Sequence, residues 1–180
     1  MCKPASMVLT KTKCYWSKRT NSHEEIIEEY GLSPDGKRGP NVVRIEIIPP
    51  GSDMTKPPSR WRFCVDQDVF PSWFSRAKYE PIVRKELRKW KKARVFTHGK
   101  HTVKDMWVYV YGSAEVLALG SSTVEAHGTS VVRAVDSSVV NAYALSKVRA
   151  FQDSNVIKYG GTVTLSGNAR MIDRTDDKGE

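Results

Sequence analysis

Asp66-Gln67-Asp68 places two carboxylates at the end of a strand-like run, a pattern that can hold a divalent cation or do general acid–base work. No further His or Glu stands at a defined spacing to complete it. Acidic residues in such a place more commonly cap the following turn through side-chain to backbone hydrogen bonds, and that is the reading taken here. His98-Gly99-Lys100-His101 is an H-x-x-H pair, but the neighbouring sequence offers no third or fourth ligand, so it reads as a turn. His23 opens a helical pattern and reads as an exposed residue of the cap region. Cys2, Cys14 and Cys64 are odd in number and lack C-x-x-C spacing, which makes them free thiols. There is no phosphate loop, G-x-S-x-G or H-E-x-x-H motif; nothing names a reaction, and no metal or cofactor is expected.

Binding chemistry is better represented. Between Arg84 and Arg94 seven Lys/Arg stand against Glu86 alone. Arg84, Lys85, Arg88, Lys89, Lys91 and Lys92 are therefore candidates for contact with nucleic-acid phosphates, although a charge run on a helix is also what a solvated face looks like. Lys3, Lys11, Lys13, Lys18 and Arg19 surround Tyr15 and Trp16, a pairing that can stack a base or anchor a terminus. The formal net charge of +9 is uneven. Residues 1–107 carry 22 Lys/Arg against 12 Asp/Glu, and residues 108–180 carry 7 against 8.

The elements that must position these residues follow from a repeat. From Val108 onward the chain reads VYVYGSAE, VLALGSST, VEAHGTSV, VRAVDSSV, VNAYALSK, VRAFQDSN and VIKYGGTV. Position one is always Val, position three usually Ala and position seven always small. The V-x-A alternation has the period of a strand with unlike faces, and the Gly, Asp and Ser that follow supply a corner. Self-similarity of this kind predicts a β-solenoid whose small inward residues form a narrow core.

Position four gives Tyr111, His127, Tyr143 and Tyr159 in alternate units, and Leu119, Val135 and Phe151 in the others. Like residues stack well between neighbouring strands, so two units should make one coil of sixteen residues, with about four coils in all. The aromatic column, with Arg133 and Arg149 at position two, is the candidate binding surface of this region, because aromatic and Arg side chains are favoured at interfaces. The two sets can fall on opposite sheets.

Ahead of the repeat lies a basic α+β head. Ser22 and Glu25 have capping-box spacing before a short helix that Gly31 ends. Met7–Tyr15 reads as a basic arm or edge strand, Ser33–Pro40 as a loop, and Val42–Ile48 and Trp61–Val65 as paired strands. A long helix over about Arg76–Lys92 carries an apolar stripe of Tyr79, Ile82, Val83, Leu87 and Trp90. The expected organisation is mainly β: residues 1–104 a head that caps the open end of the solenoid, 105–172 the repeats, and 173–180 a charged tail. No stretch approaches eighteen apolar residues, and basic residues follow closely on Val8 and Leu9, so neither a membrane span nor a signal peptide is expected, and the location is read as cytoplasmic.

The units V-E-A-H-G-T-S and V-R-A-V-D-S-S resemble the S-S-V-x-A-x-G/D repeats of bacteriophage and bacterial proteins that have no assigned activity. Those proteins carry, ahead of the repeats, H-x-E-I-I-x-x-x-G-L, V-R-I-E-I-x-P-P and V-D-Q-D-x-x-P-x-W-[FY]; here these stand at His23–Leu32, Val43–Pro50 and Val65–Phe74. The resemblance implies a phage or mobile-element origin. The functional expectation is a non-enzymatic binding protein that sequesters or blocks a host component, a protein or a nucleotide signal, as an inhibitor of host defence. Nucleic-acid binding through the helix of residues 84–94 is one alternative. A structural or self-assembling solenoid, homo-oligomeric through its last coil edge, is another.

Overall fold

A computed structural model describes residues 5–36 and 39–176; Cys2 and Lys3 lie outside them. The chain divides into two units, residues 1–93 and 94–180.

The first unit is built on a four-stranded antiparallel sheet whose strands lie in the order β2 (Cys14–Tyr15), β1 (Ser6–Leu9), β5 (Val43–Ile48), β6 (Arg62–Val65). The segment read as one edge strand is a hairpin, β1 (Ser6–Leu9) and β2 (Cys14–Tyr15). Thr10 breaks it: its hydroxyl accepts from the Lys13 amide at 3.1 Å, while its own amide donates to the Lys13 carbonyl at 2.8 Å. Far from an arm, β1 is an interior strand with all four residues buried.

Helix α1 (His23–Glu29) starts where Ser22 Oγ accepts from the Glu25 amide, and Gly31 follows it at φ +60°. Ile26 and Ile27 pack with Val8 and Val42. The loop at residues 33–40 contains the small pair β3 (Asp35–Gly36) and β4 (Gly39–Pro40). Strand β5 (Val43–Ile48) buries alternate residues Val43, Ile45 and Ile47, and pairs with β6 (Arg62–Val65) as expected. Helix α2 (Arg76–Arg94) buries Tyr79, Val83, Leu87 and Trp90. Their 4-4-3 spacing defines the stripe. Ile82 falls outside it and is 42% exposed, so it does not belong to the core.

The second unit is a parallel β-solenoid. Strands β7 (Val95–Phe96), β9 (Trp107–Val110), β11 (Thr123–Ala126), β13 (Val139–Ala142), β15 (Asn155–Lys158) and β17 (Arg170–Asp173) form a six-stranded sheet. Strands β8 (Lys100–Lys104), β10 (Glu115–Leu119), β12 (Val131–Ala134), β14 (Lys147–Ala150) and β16 (Thr162–Leu165) form a five-stranded sheet. Val124 pairs with Val140 and Val132 with Val148, which is the predicted coil of sixteen residues and two strands.

There are about five turns where the octads suggested four. The extra length lies at both ends: upstream His101 pairs with Val116, a coil of fifteen residues, and Val95 with Tyr109, a coil of fourteen, and downstream Asn155 pairs with Arg170, again fifteen. A changed period hides these strands from a search for octads. His101, read as part of a turn, is on β8. At the other end Asp173, expected to begin the tail, closes β17, and residues 177–180 lie outside the described residues.

Inside, the Val at position one and the Ala at position three are almost fully buried, as are Ser122, Ser130, Ser138, Ser146 and Ser154 at position seven. Several of these serines donate back to the carbonyl three residues earlier, Ser122 to Leu119 at 2.6 Å and Ser154 to Phe151 at 2.6 Å, which satisfies the corner where the chain turns. In the first six octads position five takes positive φ whatever its residue, as at Gly120 +62°, Asp136 +58°, Ala144 +52° and Gln152 +54°; in the seventh it passes to Gly161. At Gly120 a Cβ would run into the Asp105 carboxylate, which would have to shift, so that corner favours glycine for space as well as for φ. Asp136 and Gln152 offset the strain by accepting from a corner amide one coil earlier, Gly120 at 2.8 Å and Asp136 at 2.7 Å respectively.

Candidate ligand-binding face

Position three gives out at the last coils. Lys158 and Asp173 stand where Ala142 stands one coil before, and they pair at 2.8 Å. Inward-pointing charge of this kind blunts a sheet end. Positions two, four and eight point outward, and each sheet displays them as a grid of three columns.

On the five-stranded sheet the position-two column is Thr102, Leu117, Arg133, Arg149 and Thr164. Beside it runs Lys100, Glu115, Val131, Lys147 and Thr162. A groove of about 620 Å³ crosses these columns over β8, β10, β12 and β14. At its start Lys100 pairs with Glu115 at 3.5 Å. At its other side Arg133, Lys147 and Arg149 are exposed, and among the described residues none of the three forms an ion pair. Arg133 is held over the Phe151 ring, 4.8 Å from its centre.

The six-stranded sheet is the opposite case. Tyr111, His127, Tyr143 and Tyr159 do form the predicted column, with ring centres 4.7, 4.6 and 4.9 Å apart and planes within 7°. Their faces are taken up by one another, so they offer edges rather than a stacking platform. Asn141 donates to Glu125 at 2.8 Å, and Glu125 shares a further hydrogen bond with Tyr143. Burial pushes the Glu125 carboxyl above the usual carboxylate range. Burial, and then the Glu125 charge, push the Tyr143 phenol up as well. Arg133 and Arg149 are thus on one sheet and the aromatic column is on the other.

The basic helix also divides. Arg84 donates to Glu80 and to the Pro58 and Trp61 carbonyls. Lys91 donates to the Thr55 and Lys56 carbonyls, and burial lowers its pKa. Lys85, Arg88, Lys89 and Lys92 remain exposed at i, i+3, i+4 and i+7, one flank of α2, and of these Lys89 pairs with Glu86 at 2.7 Å.

The remaining candidates are structural. His23 is 1% exposed and not a surface residue: Nε2 lies 3.1 Å from the Ile45 carbonyl and Nδ1 3.5 Å from Asp66. With both ring nitrogens engaged, neither is placed to take a substrate proton. Gln67, between the two aspartates, does the capping, accepting from the Arg44 amide at 2.8 Å and donating to the Val69 carbonyl at 2.7 Å. His101 stacks on Phe96 at 4.1 Å and lies 2.8 Å from the His98 carbonyl. Burial pushes the Cys14 thiol up to about 12, so it stays protonated. Among the described residues no group of three His, Cys, Asp or Glu could hold a metal ion.

Lys147, Lys100 and Glu115 were missed by sequence reading. For Lys147 and Glu115 the signal was present, since with a coil of sixteen residues positions two and eight of alternate octads must share a face; Lys100, on β8, lies outside the octads. Among the described residues no helix is long and apolar enough to cross a membrane. Comparison with protein-family models, curated proteins and solved structures gave no match.

Proposed function

We propose that the protein is a binding protein without catalytic chemistry, which sequesters an anionic component of a host cell on the outer face of its five-stranded sheet. One observation carries the reading: Arg133, Lys147 and Arg149 occupy adjacent exposed positions with no counter-charge among the described residues. Like charges on neighbouring strands are destabilising. The octad needs small inward residues and imposes nothing on position two or eight, so this arrangement is not a requirement of the fold. An anion that completes the face gives it a purpose. The resemblance of the octads to phage and bacterial repeats supports a phage or mobile-element origin, with action in the host cytoplasm against a component of host defence.

The test is native mass spectrometry of the protein purified gently from its expressing cells, beside a variant carrying Arg133→Glu and Arg149→Glu. A non-covalent mass on the wild type that the variant loses is expected. Equal retention by both, or bare protein in both, counts against the reading.

The exposed flank of α2 favours a second reading, contact with a nucleic-acid backbone through Lys85, Arg88, Lys89 and Lys92. Four such contacts give a log–log salt slope of about −3 to −4. Arg88→Glu with Lys92→Glu should abolish the binding, and affinity indifferent to salt removes the reading.

A further inference from the structure

The grid on the five-stranded sheet has a chemical asymmetry that narrows its ligand. Residues on one side of a strand recur about every 7 Å and strands lie about 4.8 Å apart, so Lys147 and Arg149 on β14, with Arg133 beside Arg149 on β12, make a triangle of cations. That triangle matches a tetrahedral phosphate, whose oxygens accept from guanidinium and ammonium donors at once. Arg133 is already ordered against Phe151. Next to the triangle, Leu117 on β10 lies beside Arg133 and Val131 on β12 lies beside Lys147, a diagonal pair that makes a small apolar field two strands wide. Flanking it stand Thr102 beside Leu117 and Glu115 beside Val131, a hydroxyl and a carboxylate, the latter paired with Lys100.

A bare phosphate would leave the apolar field unused. An acidic peptide would lay charge along it. An alkyl phosphate would cover it but would set its chain against Glu115. A planar heteroaromatic body joined to a phosphate matches all three zones: the phosphate at the triangle, the ring over Leu117 and Val131, and its polar edge toward Thr102 and Glu115. Resting on the reading that this face binds an anion, we infer that the ligand is a nucleoside phosphate.

The experiment is isothermal titration of the full chain with AMP, GMP, CMP and UMP in turn, and with inorganic phosphate, dodecyl phosphate and a decameric glutamate peptide. At least one nucleotide should bind about tenfold or more tightly than inorganic phosphate, since the ring adds apolar burial. Arg149→Gln should weaken that nucleotide by about tenfold, and Leu117→Asn should weaken it while leaving inorganic phosphate unchanged. Thermal melts of both variants confirm that the fold is retained. If the peptide or dodecyl phosphate binds better than every nucleotide and Arg149→Gln abolishes that binding, the nucleotide inference falls and the anion-binding reading stands. If nothing binds, or binding ignores Arg149→Gln, both fall.

Discussion

The two outer faces of the solenoid are written in the same octad, yet one is satisfied from within and the other is not. On the six-stranded sheet each ring of the Tyr111 to Tyr159 column finds its neighbour one coil away, and Glu125 finds Asn141. On the five-stranded sheet the equivalent exposed positions hold three cations that form no ion pair among the described residues. Inward positions are constrained alike on both sheets, so the difference lies wholly in side chains the fold leaves free. Function is therefore sought where the grid is unsatisfied, and stability where it is complete.

The largest effect should come from breaking the complete face. Tyr143→Ala removes a half-buried ring stacked at 4.6 and 4.9 Å on its two neighbours. Partial burial and two lost stacks should cost about 2–3 kcal/mol, or roughly 5–10 °C in Tm if the chain unfolds as a whole. Arg149→Ala on the opposite face should stay within about 0.5 kcal/mol. Equal losses, read by thermal unfolding, would erase the contrast.

The corners supply a smaller and opposed pair of effects. Ala144 holds φ +52°, which costs an L-residue about 1–2 kcal/mol. Ala144→Gly should recover about 0.5–1 kcal/mol after the added freedom of the unfolded chain is deducted. Gly128 holds φ +63°, and its Cβ would lie 3.3 Å from the Gly112 amide, so Gly128→Ala should destabilise by about 1–2 kcal/mol. Denaturant midpoints moving in opposite directions confirm that position five sets the corner.

Glu125 tests whether the complete face carries a cost of its own. Burial favours its neutral form, so its folded pKa is above the unfolded value. Its contribution to stability is then fully present at low pH and is lost as pH rises from the unfolded pKa through the raised folded one. Glu125→Gln removes that loss and keeps an acceptor for Asn141. The variant should match wild type near pH 3 and gain on it as pH rises to about 7. A gap that is flat or closes with pH would show that the carboxylate is better solvated than its burial implies.

The octads made the inward columns, the two-strand coil and the aromatic ladder legible, because each depends on a side chain recurring at a fixed interval. What failed to recur was hidden. The coils of fourteen and fifteen residues before Val108 carry no octad, so β7 and β8 were read as transition and turn. His23 sits in the first turn of a seven-residue helix, too short for periodicity to say which way it faces, and its burial is decided by the Ile45 carbonyl on another element. The candidate face was half legible. Arg133 and Arg149 share position two, whereas Lys147 shares position eight with Glu115 and Val131 and so drew no attention as a class.

The smallest expected effect sharpens the contrast most directly. If the cations of the five-stranded face repel one another, deleting one should stabilise the free protein. Arg133→Gln keeps a polar side chain of similar reach beside Phe151 and removes the charge that faces Arg149 one strand away. The gain should be a few tenths of a kcal/mol at low ionic strength. It should vanish as the Debye length shrinks to about 3 Å at 1 M salt. The matching change on the other face, Asn141→Ala, should cost stability at both salt concentrations, because it strips a half-buried hydrogen bond from Glu125. A stabilising loss on one face beside a destabilising loss on the other would mean that the basic grid is kept for something other than the fold.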